Sequence, residues 1–201
     1  MTKIKFCGLM SLDDVYVANE LLPEFVGFVF AAGSKRRVTP AQAENFRDAL
    51  SKKILAVGVF VDEKISVVAE LLNAGTIDIA QLHGGEDADY ISRLRALTTK
   101  PLIKAVEVHS PENLRAIEQI DSDYVLIDSG KGSGNVFDWR ILKNFSRPYF
   151  LAGGLNPENV SAAIKILNPF AVDVSSGIES NGRKDAAKMR EFVSAVRGAI
   201  L

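Results

Sequence analysis

Short apolar runs and helix-like segments alternate eight times along this chain of 201 residues. The apolar runs begin near Lys3, Phe25, Ile54, Ile77, Leu102, Tyr124, Tyr149 and Ala171. Their starts are 22 to 29 residues apart, which leaves room for about one helix in each interval. The runs are almost continuously apolar, as in strands that are covered on both faces in a parallel sheet. The pattern predicts a single α/β domain over residues 1–201, a (β/α)8 TIM barrel, with an open doubly wound sheet as the alternative.

Helix-start signals lie between the apolar runs. Ser11, Thr39, Ser110 and Asn156 each offer a side chain that can cap a helix. The last three are followed by proline, which is tolerated at the first helical position because its missing N–H costs least there. These signals predict helices that begin directly after each of the four residues.

The balance of charge restricts the partners of the chain. Its 24 basic and 25 acidic residues nearly cancel, and no basic cluster is interleaved with aromatic residues, so neither nucleic acid nor an anionic membrane is predicted as a partner. Lys3 and Lys5 interrupt the first apolar run, which therefore does not resemble a signal peptide, and no run is long enough to span a bilayer. We expect a cytoplasmic protein that binds a small molecule.

Cys7 is the single cysteine of the chain and stands at the end of the first apolar run. One cysteine forms no internal disulfide and no cysteine metal site, so Cys7 is either a core residue or a reactive thiol. His83 and His109 are far apart and lack the spacing of metal ligands, so no metal is predicted.

Several residues with reactive or small side chains follow the predicted strands. In a (β/α)8 barrel the carboxyl ends of the strands form the active face. The residues at that face are Cys7, Gly8, Ser34, Arg36, Gln81, His83, Asp128, Gly153, Gly154, Asp173, Ser175, Ser176 and Gly177. A thiol, a carboxyl group, a guanidinium and small-residue loops are therefore expected around one cavity.

The glycine-containing loops after the last strands predict a phosphate site. Gly153 and Gly154 follow the seventh strand, and Ser176 and Gly177 follow the eighth, where barrels commonly bind phosphate through backbone N–H groups. The segment Gly132-Ser133-Gly134 after the sixth strand is a further flexible loop that could close over a substrate. A plain tight turn is the alternative at the first two places, and a solvent-exposed loop with no ligand is the alternative for Gly132-Ser133-Gly134. A solvated side chain is the alternative to carboxylate binding by Arg36.

Eight segments in a fixed order carry a family resemblance. They are Lys5-Phe6-Cys7-Gly8-Leu9, Gly27-Phe28-Val29-Phe30, Ser34-Lys35-Arg36-Arg37-Val38, Gln81-Leu82-His83-Gly84, Leu126-Ile127-Asp128, Gly132-Ser133-Gly134 with Phe137-Asp138-Trp139, Leu151-Ala152-Gly153-Gly154-Leu155, and Val172-Asp173-Val174-Ser175-Ser176-Gly177-Ile178-Glu179. On these segments the chain resembles the phosphoribosylanthranilate isomerases of tryptophan biosynthesis over nearly its whole length. Lys35 departs from the family pattern, in which proline is usual, and Ser133 stands where threonine is more usual.

The resemblance implies an Amadori rearrangement of a small phosphorylated substrate that needs no cofactor, carried out by a monomer or a homodimer. N-(5-phosphoribosyl)anthranilate, an aminoaldose, would be converted into 1-(2-carboxyphenylamino)-1-deoxyribulose 5-phosphate, an aminoketose. By the family pattern Asp128 is the general acid, Cys7 is the general base and Arg36 holds the anthranilate carboxylate. The phosphate would be held by Gly132, Ser133, Gly134, Gly153, Gly154, Ser176 and Gly177. Gln81, His83 and Asp173 would complete the pocket.

These roles make demands on both reacting groups. A thiol of pKa about 8.5 is mostly protonated at neutral pH, and an ordinary aspartic acid is mostly ionised. Nearby donors or cations are needed to favour the thiolate of Cys7, and the sequence does not name them.

Two other functions remain open at this point. The histidine-pathway isomerase that acts on phosphoribosyl-formimino-AICAR-phosphate runs the same type of rearrangement on a barrel. It uses a carboxylate after the first strand, where this chain has Cys7, and binds two phosphates. The other alternative is a phosphate-sugar-binding barrel without catalysis, against which the presence of both Cys7 and Asp128 argues.

Overall fold

Eight parallel strands form a closed barrel. The computed structural model of the protein describes residues 1–108, 111–128, 142 and 145–199. The strands are β1 (Lys3–Cys7), β2 (Phe25–Val29), β3 (Leu55–Phe60), β4 (Ile79–Leu82), β5 (Leu102–Glu107), β6 (Tyr124–Asp128), β7 (Tyr149–Ala152) and β8 (Ala171–Val174). They are paired in chain order, and β8 closes the barrel on β1 with Asp173 opposite Lys5. The predicted (β/α)8 barrel is confirmed, and the open-sheet alternative is wrong because both edges of the sheet are paired.

Helices connect the strands on the outside of the barrel. The described helices are α1 (Leu12–Leu21), α2 (Pro40–Ala49), α3 (Ile65–Asn73), α4 (Ala88–Arg95), α5 (Pro111–Glu118), α6 (Val160–Leu167) and α7 (Ala186–Arg197). After β8 come a 3₁₀ turn (Ser176–Ile178) and a short antiparallel hairpin of β9 (Glu179–Ser180) and β10 (Arg183–Lys184). The helix expected between β6 and β7 falls mostly on residues outside the described ranges. None of the described helices is long and apolar enough to cross a membrane.

The predicted helix starts are confirmed at two positions and wrong at one. Ser11 and Thr39 each accept a hydrogen bond from the backbone three residues on and form capping boxes at α1 and α2. The side chain of Asn156 accepts from the backbone N–H groups of Glu158 and Asn159 in the manner of a cap, but residues 157–159 form a turn and not the first turn of a helix. Helix α6 therefore begins at Val160. Ser110 lies outside the described residues.

Two strands begin slightly later than predicted. Strand β3 starts at Leu55 instead of Ile54, and β4 starts at Ile79 instead of Ile77. The N–H of Ile77 donates to the carbonyl of Leu71, so this residue still belongs to the turn that ends α3. The apolar run thus predicts burial correctly but includes residues that precede the ladder.

The inside of the barrel is filled by side chains from alternate positions of the strands. The main interior cluster contains Phe25, Val57, Ile79, Ile103, Ala105, Leu126, Phe150, Ala152 and Ala171. Cys7, Val29 and Val59 form a smaller cluster nearer to the carboxyl ends of the strands. Since successive side chains of a strand point to opposite faces, Lys5 shares the inward face with Cys7. The residues at the carboxyl ends of the strands lie directly above this packed interior.

Candidate active site

A cavity of about 220 Å³ opens at the carboxyl ends of the strands. It is lined by Cys7, Val29, Ser34, Arg36, Val59, Gln81, His83, Asp128, Ala152, Gly153, Gly154, Leu155, Asp173, Ser175 and Ser176. Of the thirteen residues with a predicted role, nine line it, namely Cys7, Arg36, Gln81, His83, Asp128, Gly153, Gly154, Asp173 and Ser176. The fold therefore gathers a thiol, two carboxyl groups, a guanidinium and an imidazole from distant parts of the sequence.

The other four residues with a predicted role are not among the described residues that line the cavity. Gly132, Ser133 and Gly134 lie outside the described residues. Gly177 is in the 3₁₀ turn, where an added Cβ would overlap the backbone carbonyl oxygen of Leu155. Close packing between this turn and the loop after β7 explains a glycine at position 177 without any ligand.

Cys7 is held at the floor of the cavity beside β2. Its partner in the ladder is Gly27, and a Cβ on Gly27 would lie only 2.9 Å from the sulfur of Cys7. The glycine thus provides the space that the thiol occupies. The residue is 8% exposed, and burial raises the pKa of the thiol. Lys5 and Lys184 oppose that rise, whereas the carboxylate of Asp173 adds to it.

Arg36 is fixed in a bidentate ion pair with Glu179 at the start of β9. Its Nε and Nη2 atoms donate to the two carboxylate oxygens at 2.6 and 2.7 Å. Lys184 on β10 donates to the same carboxylate at 2.6 Å. Burial alone would raise the pKa of Glu179, but hydrogen bonds from Arg36 and Lys184 outweigh it and lower that pKa to about 2. The carboxylate of Glu179 is therefore ionised at neutral pH and holds both cations in place.

The loop that carries Arg36 is fixed without a proline at position 35. The N–H of Arg36 donates to Ser34 Oγ at 3.1 Å, and the N–H of Val38 donates to the carbonyl of Val29. Lys35 is exposed. The hydroxyl of Ser34 and the ion pair with Glu179 thus replace the restraint that a proline would supply.

His83 lies between Gln81 and Asp128. The Nε2 atom of Gln81 is 2.8 Å from Nδ1 of His83, and Nε2 of His83 is 4.0 Å from Oδ2 of Asp128. With the Gln81 amide as donor, Nδ1 accepts and the proton of the neutral ring sits on Nε2, facing the carboxyl group. Burial lowers the pKa of His83 despite the opposing charge of Asp128, so the ring is neutral at pH 7.

A buried ion pair anchors the loop that follows His83. Lys104 donates to Glu86 and to the carbonyl of Gly84, both at 2.7 Å. Glu86 in turn accepts from the backbone N–H groups of Gly84 and Asp62 at 2.9 Å. This arrangement joins the loops after β3 and β4 and holds the backbone next to His83.

The loop after β7 turns on two glycines with positive φ. Gly153 has φ of 95° and Gly154 has φ of 67°, a backbone region that favours glycine. Apart from chain neighbours, no described atom lies within 4 Å of the place where a Cβ of Gly154 would stand. At Gly154 the backbone therefore faces open space at the rim, as close approach to a phosphate requires.

Three functional candidates were missed from the sequence, namely Lys5, Glu179 and Lys184. A signal existed for Lys5, because a lysine two residues before Cys7 on a buried strand must share its inward face. Glu179 and Lys184 are brought to the site by the β9–β10 hairpin, which the strand pattern does not predict. Among the described residues, no group of three or more His, Cys, Asp or Glu side chains could hold a metal ion.

A closed (β/α)8 barrel with a thiol, a carboxyl group and a glycine turn at its carboxyl rim is the architecture of a barrel enzyme, since such enzymes carry their active sites at this rim. The family model described as N-(5'phosphoribosyl)anthranilate (PRA) isomerase matches residues 4–195, and the chain belongs to this family of isomerases. An N-(5'-phosphoribosyl)anthranilate isomerase of Endomicrobium trichonymphae is 46% identical over 98% of this chain and 99% of the relative. The predicted family is confirmed, and the histidine-pathway alternative is not supported.

Solved structures agree with this assignment. Phosphoribosyl anthranilate isomerase from Thermotoga maritima superposes with a TM-score of 0.88 at 34% identity, covering 98% of this chain and 100% of that one. A complex of a phosphoribosyl anthranilate isomerase with reduced 1-(o-carboxyphenylamino)-1-deoxyribulose 5-phosphate has a TM-score of 0.87 at 33% identity, with the same coverage.

Proposed function

We propose that this chain catalyses the Amadori rearrangement of N-(5'-phosphoribosyl)anthranilate in tryptophan biosynthesis, with Asp128 as general acid and Cys7 as general base. The observation that carries the proposal is the single cavity that both side chains line together with Arg36 and the Gly153-Gly154 turn. The substrate has a carboxylate, a sugar and a phosphate, and the cavity offers a matching group for each.

Anchoring comes from the two ends of the cavity. The ion pair with Glu179 uses two of the five N–H donors of Arg36, and the Nη1 edge is left for the anthranilate carboxylate. The backbone around Gly153, Gly154 and Ser176 receives the phosphate. With both charged ends held, the ribose lies between Cys7 and Asp128.

The first chemical step opens the furanose ring. The protonated carboxyl group of Asp128 donates its proton to the ring oxygen as the bond from this oxygen to C1 breaks. The lone pair of the anthranilate nitrogen forms a double bond to C1, which gives a Schiff base. The side chain of Asp128 is 29% exposed, and a substrate bound over it would exclude water from the site of proton transfer.

The second step removes a proton from C2. The thiolate of Cys7 takes this proton, and the electrons of the C–H bond move toward C1 and neutralise the nitrogen. The resulting enolamine becomes the aminoketose when C1 gains a proton and the hydroxyl on C2 loses one. Cys7 ends the step as a thiol and Asp128 as a carboxylate, so both must exchange protons before the next turnover.

His83 and Gln81 complete the acid side of the pocket. With its proton on Nε2, neutral His83 can donate a hydrogen bond to Asp128 or to a substrate oxygen beside it. Gln81 is buried and its Oε1 atom has no hydrogen-bond partner among the described residues. A substrate hydroxyl would satisfy that atom, which gives Gln81 a binding role.

Turnover of phosphoribosylanthranilate tests the proposal. The substrate is generated in place from anthranilate and phosphoribosyl pyrophosphate by the preceding enzyme, and its loss is followed by fluorescence. Cys7→Ala and Asp128→Asn should each lower kcat by at least about a hundredfold with KM largely kept. Asp121→Asn is a matched control, since Asp121 is exposed just before the other end of β6, and it should act like the wild type. Near-normal turnover by Cys7→Ala or Asp128→Asn would remove the role of that residue, and binding without turnover by the wild type would favour the non-catalytic barrel.

A further inference from the structure

The barrel contains a charged pair directly beneath the cavity. Lys5 precedes Cys7 by two positions on β1, and both side chains point into the barrel. The Nζ atom of Lys5 is 2.9 Å from Oδ1 of Asp173 on β8, which is its direct partner in the ladder. The Lys5 side chain is fully buried, and that of Asp173 is 10% exposed.

Fold stability alone does not explain this buried pair. Taking an ammonium group and a carboxylate out of water costs more than a single hydrogen-bonded contact commonly returns, and well-packed apolar residues often do as well or better. The interior just below is built from such residues, including Phe25, Val57 and Phe150. Neither binding nor the two chemical steps described above uses the ammonium group of Lys5.

We propose that Lys5 is a positioning residue that stabilises the thiolate of Cys7, and that Asp173 holds Lys5 charged in both protonation states of the thiol. The proposal rests on the proposed role of Cys7 as general base. While Cys7 is a thiolate, Lys5 is shared between two anions. After the sulfur has taken the substrate proton, Asp173 remains as the partner of Lys5, so no unpaired cation is left in the barrel. Lys5 keeps its three protons throughout.

The charges around Cys7 agree with this arrangement. Lys5 comes from β1, Asp173 from β8, Lys184 from β10 and Arg36 from the loop after β2, while His83 and Asp128 lie across the cavity. Burial lowers the pKa of Lys5, but the charges of Asp173 and Cys7 outweigh burial and keep it raised. Burial raises the pKa of Cys7, and Lys5 is the strongest of the groups that oppose this rise.

Alkylation of Cys7 tests the proposal directly. Because the chain has one cysteine, the rate of reaction with iodoacetamide against pH reports one thiolate. Lys5→Met should raise the thiol pKa and slow alkylation at pH 7 by about tenfold. Asp173→Asn should lower the thiol pKa and speed alkylation, since it removes a negative charge near the sulfur. The ammonium group of Lys5 then has the thiolate as its remaining anionic partner. If Lys5 and Asp173 had only a structural role, both substitutions would destabilise the fold, and the pKa of the Cys7 thiol would not shift in opposite directions in the two variants.

Lys104→Met is the matched control. It breaks another buried lysine–carboxylate pair, with Glu86, and should lower stability in urea unfolding while leaving the Cys7 profile unchanged. An unchanged profile in folded Lys5→Met, or a shift of the same sign in both site variants, overturns the proposal. If Lys5→Met does not fold, Lys5→Arg should keep the profile close to that of the wild type, and absence of faster alkylation in Asp173→Asn overturns the proposal.

Failure of the Lys5 proposal and failure of the general-base role of Cys7 give different results. If Cys7 is not the base, Cys7→Ala stays active while the opposite shifts in alkylation persist. If Lys5 has no effect on the thiolate, Cys7→Ala is inactive while the alkylation profiles of the site variants match the wild type.

Discussion

The guanidinium of Arg36 and the carboxylate of Glu179 form a bidentate pair that joins the loop after β2 to the hairpin after β8. The two residues are 143 positions apart in sequence. Lys184 binds the same carboxylate, and a Cβ on Gly8 would lie only 2.5 Å from Cδ of Arg36. The guanidinium is therefore constrained on two sides, and its position at the cavity is fixed before a ligand arrives.

Replacement of Arg36 by lysine should weaken substrate binding. Lysine keeps the charge but loses the planar fork that grips a carboxylate through two hydrogen bonds. We expect Arg36→Lys to raise KM by about tenfold or more, with a smaller change in kcat, because the contact is made in ground and transition states alike. Steady-state kinetics against Arg37→Lys, an exposed neighbour, provide the comparison. An unchanged KM in Arg36→Lys would place the carboxylate elsewhere.

Glu179 should make the stability of the protein depend on acid pH. Its folded pKa of about 2 lies below its ordinary value of 4.5, so its contribution is present above about pH 4.5 and is lost as the pH falls toward 2. Glu179→Gln should lower the free energy of unfolding by on the order of 2 kcal/mol at pH 7. The difference from wild type should shrink below pH 4.5, measured by urea unfolding. The control Glu70→Gln, on the exposed face of α3, should show neither effect.

The position of the site was predictable because it follows from topology alone. Parallel strands place all their carboxyl ends on one rim, so Cys7 and Asp128 were both expected at that rim once the strands were recognised. Their identification required only the end of each apolar run. The same reasoning predicted the position of the turn at Gly153 and Gly154 correctly. Phosphate binding by this turn stays a prediction.

The ion pairs were not predictable in the same way. Lys5 and Asp173 meet because the barrel closes with one particular register between β1 and β8, and no local pattern encodes that register. Glu179 reaches Arg36 through a hairpin of two-residue strands, which is too short to leave a periodic signal. Position 156 shows a further limit, since an Asn-Pro pair suits both a helix cap and the turn that is observed.

His83 should be a neutral imidazole with its proton on Nε2. Nitrogen-detected NMR measures both the tautomer and the pKa, and the loss of one signal in His83→Asn identifies the ring. We expect a pKa below the ordinary 6.5 because burial disfavours the charged form. Asp128→Asn should lower it further, since it removes the negative charge that favours protonation. A His83 pKa that rises in Asp128→Asn would contradict the arrangement. Gln81→Leu should remove the preference for the proton on Nε2, because the donor to Nδ1 is lost.

Gly154→Ala and Gly75→Ala separate backbone strain from phosphate binding. Both glycines have positive φ, 67° and 79°, and at both an added Cβ meets no described atom within 4 Å. Each substitution should therefore cost about 1 kcal/mol of stability through strain alone, seen in urea unfolding. Only Gly154 lies at the cavity, so only Gly154→Ala should raise KM for the phosphorylated substrate and weaken competitive inhibition by inorganic phosphate. Equal kinetics in the two variants, with equal losses of stability, would mean that the turn after β7 is a plain turn and that the phosphate is held elsewhere on the rim.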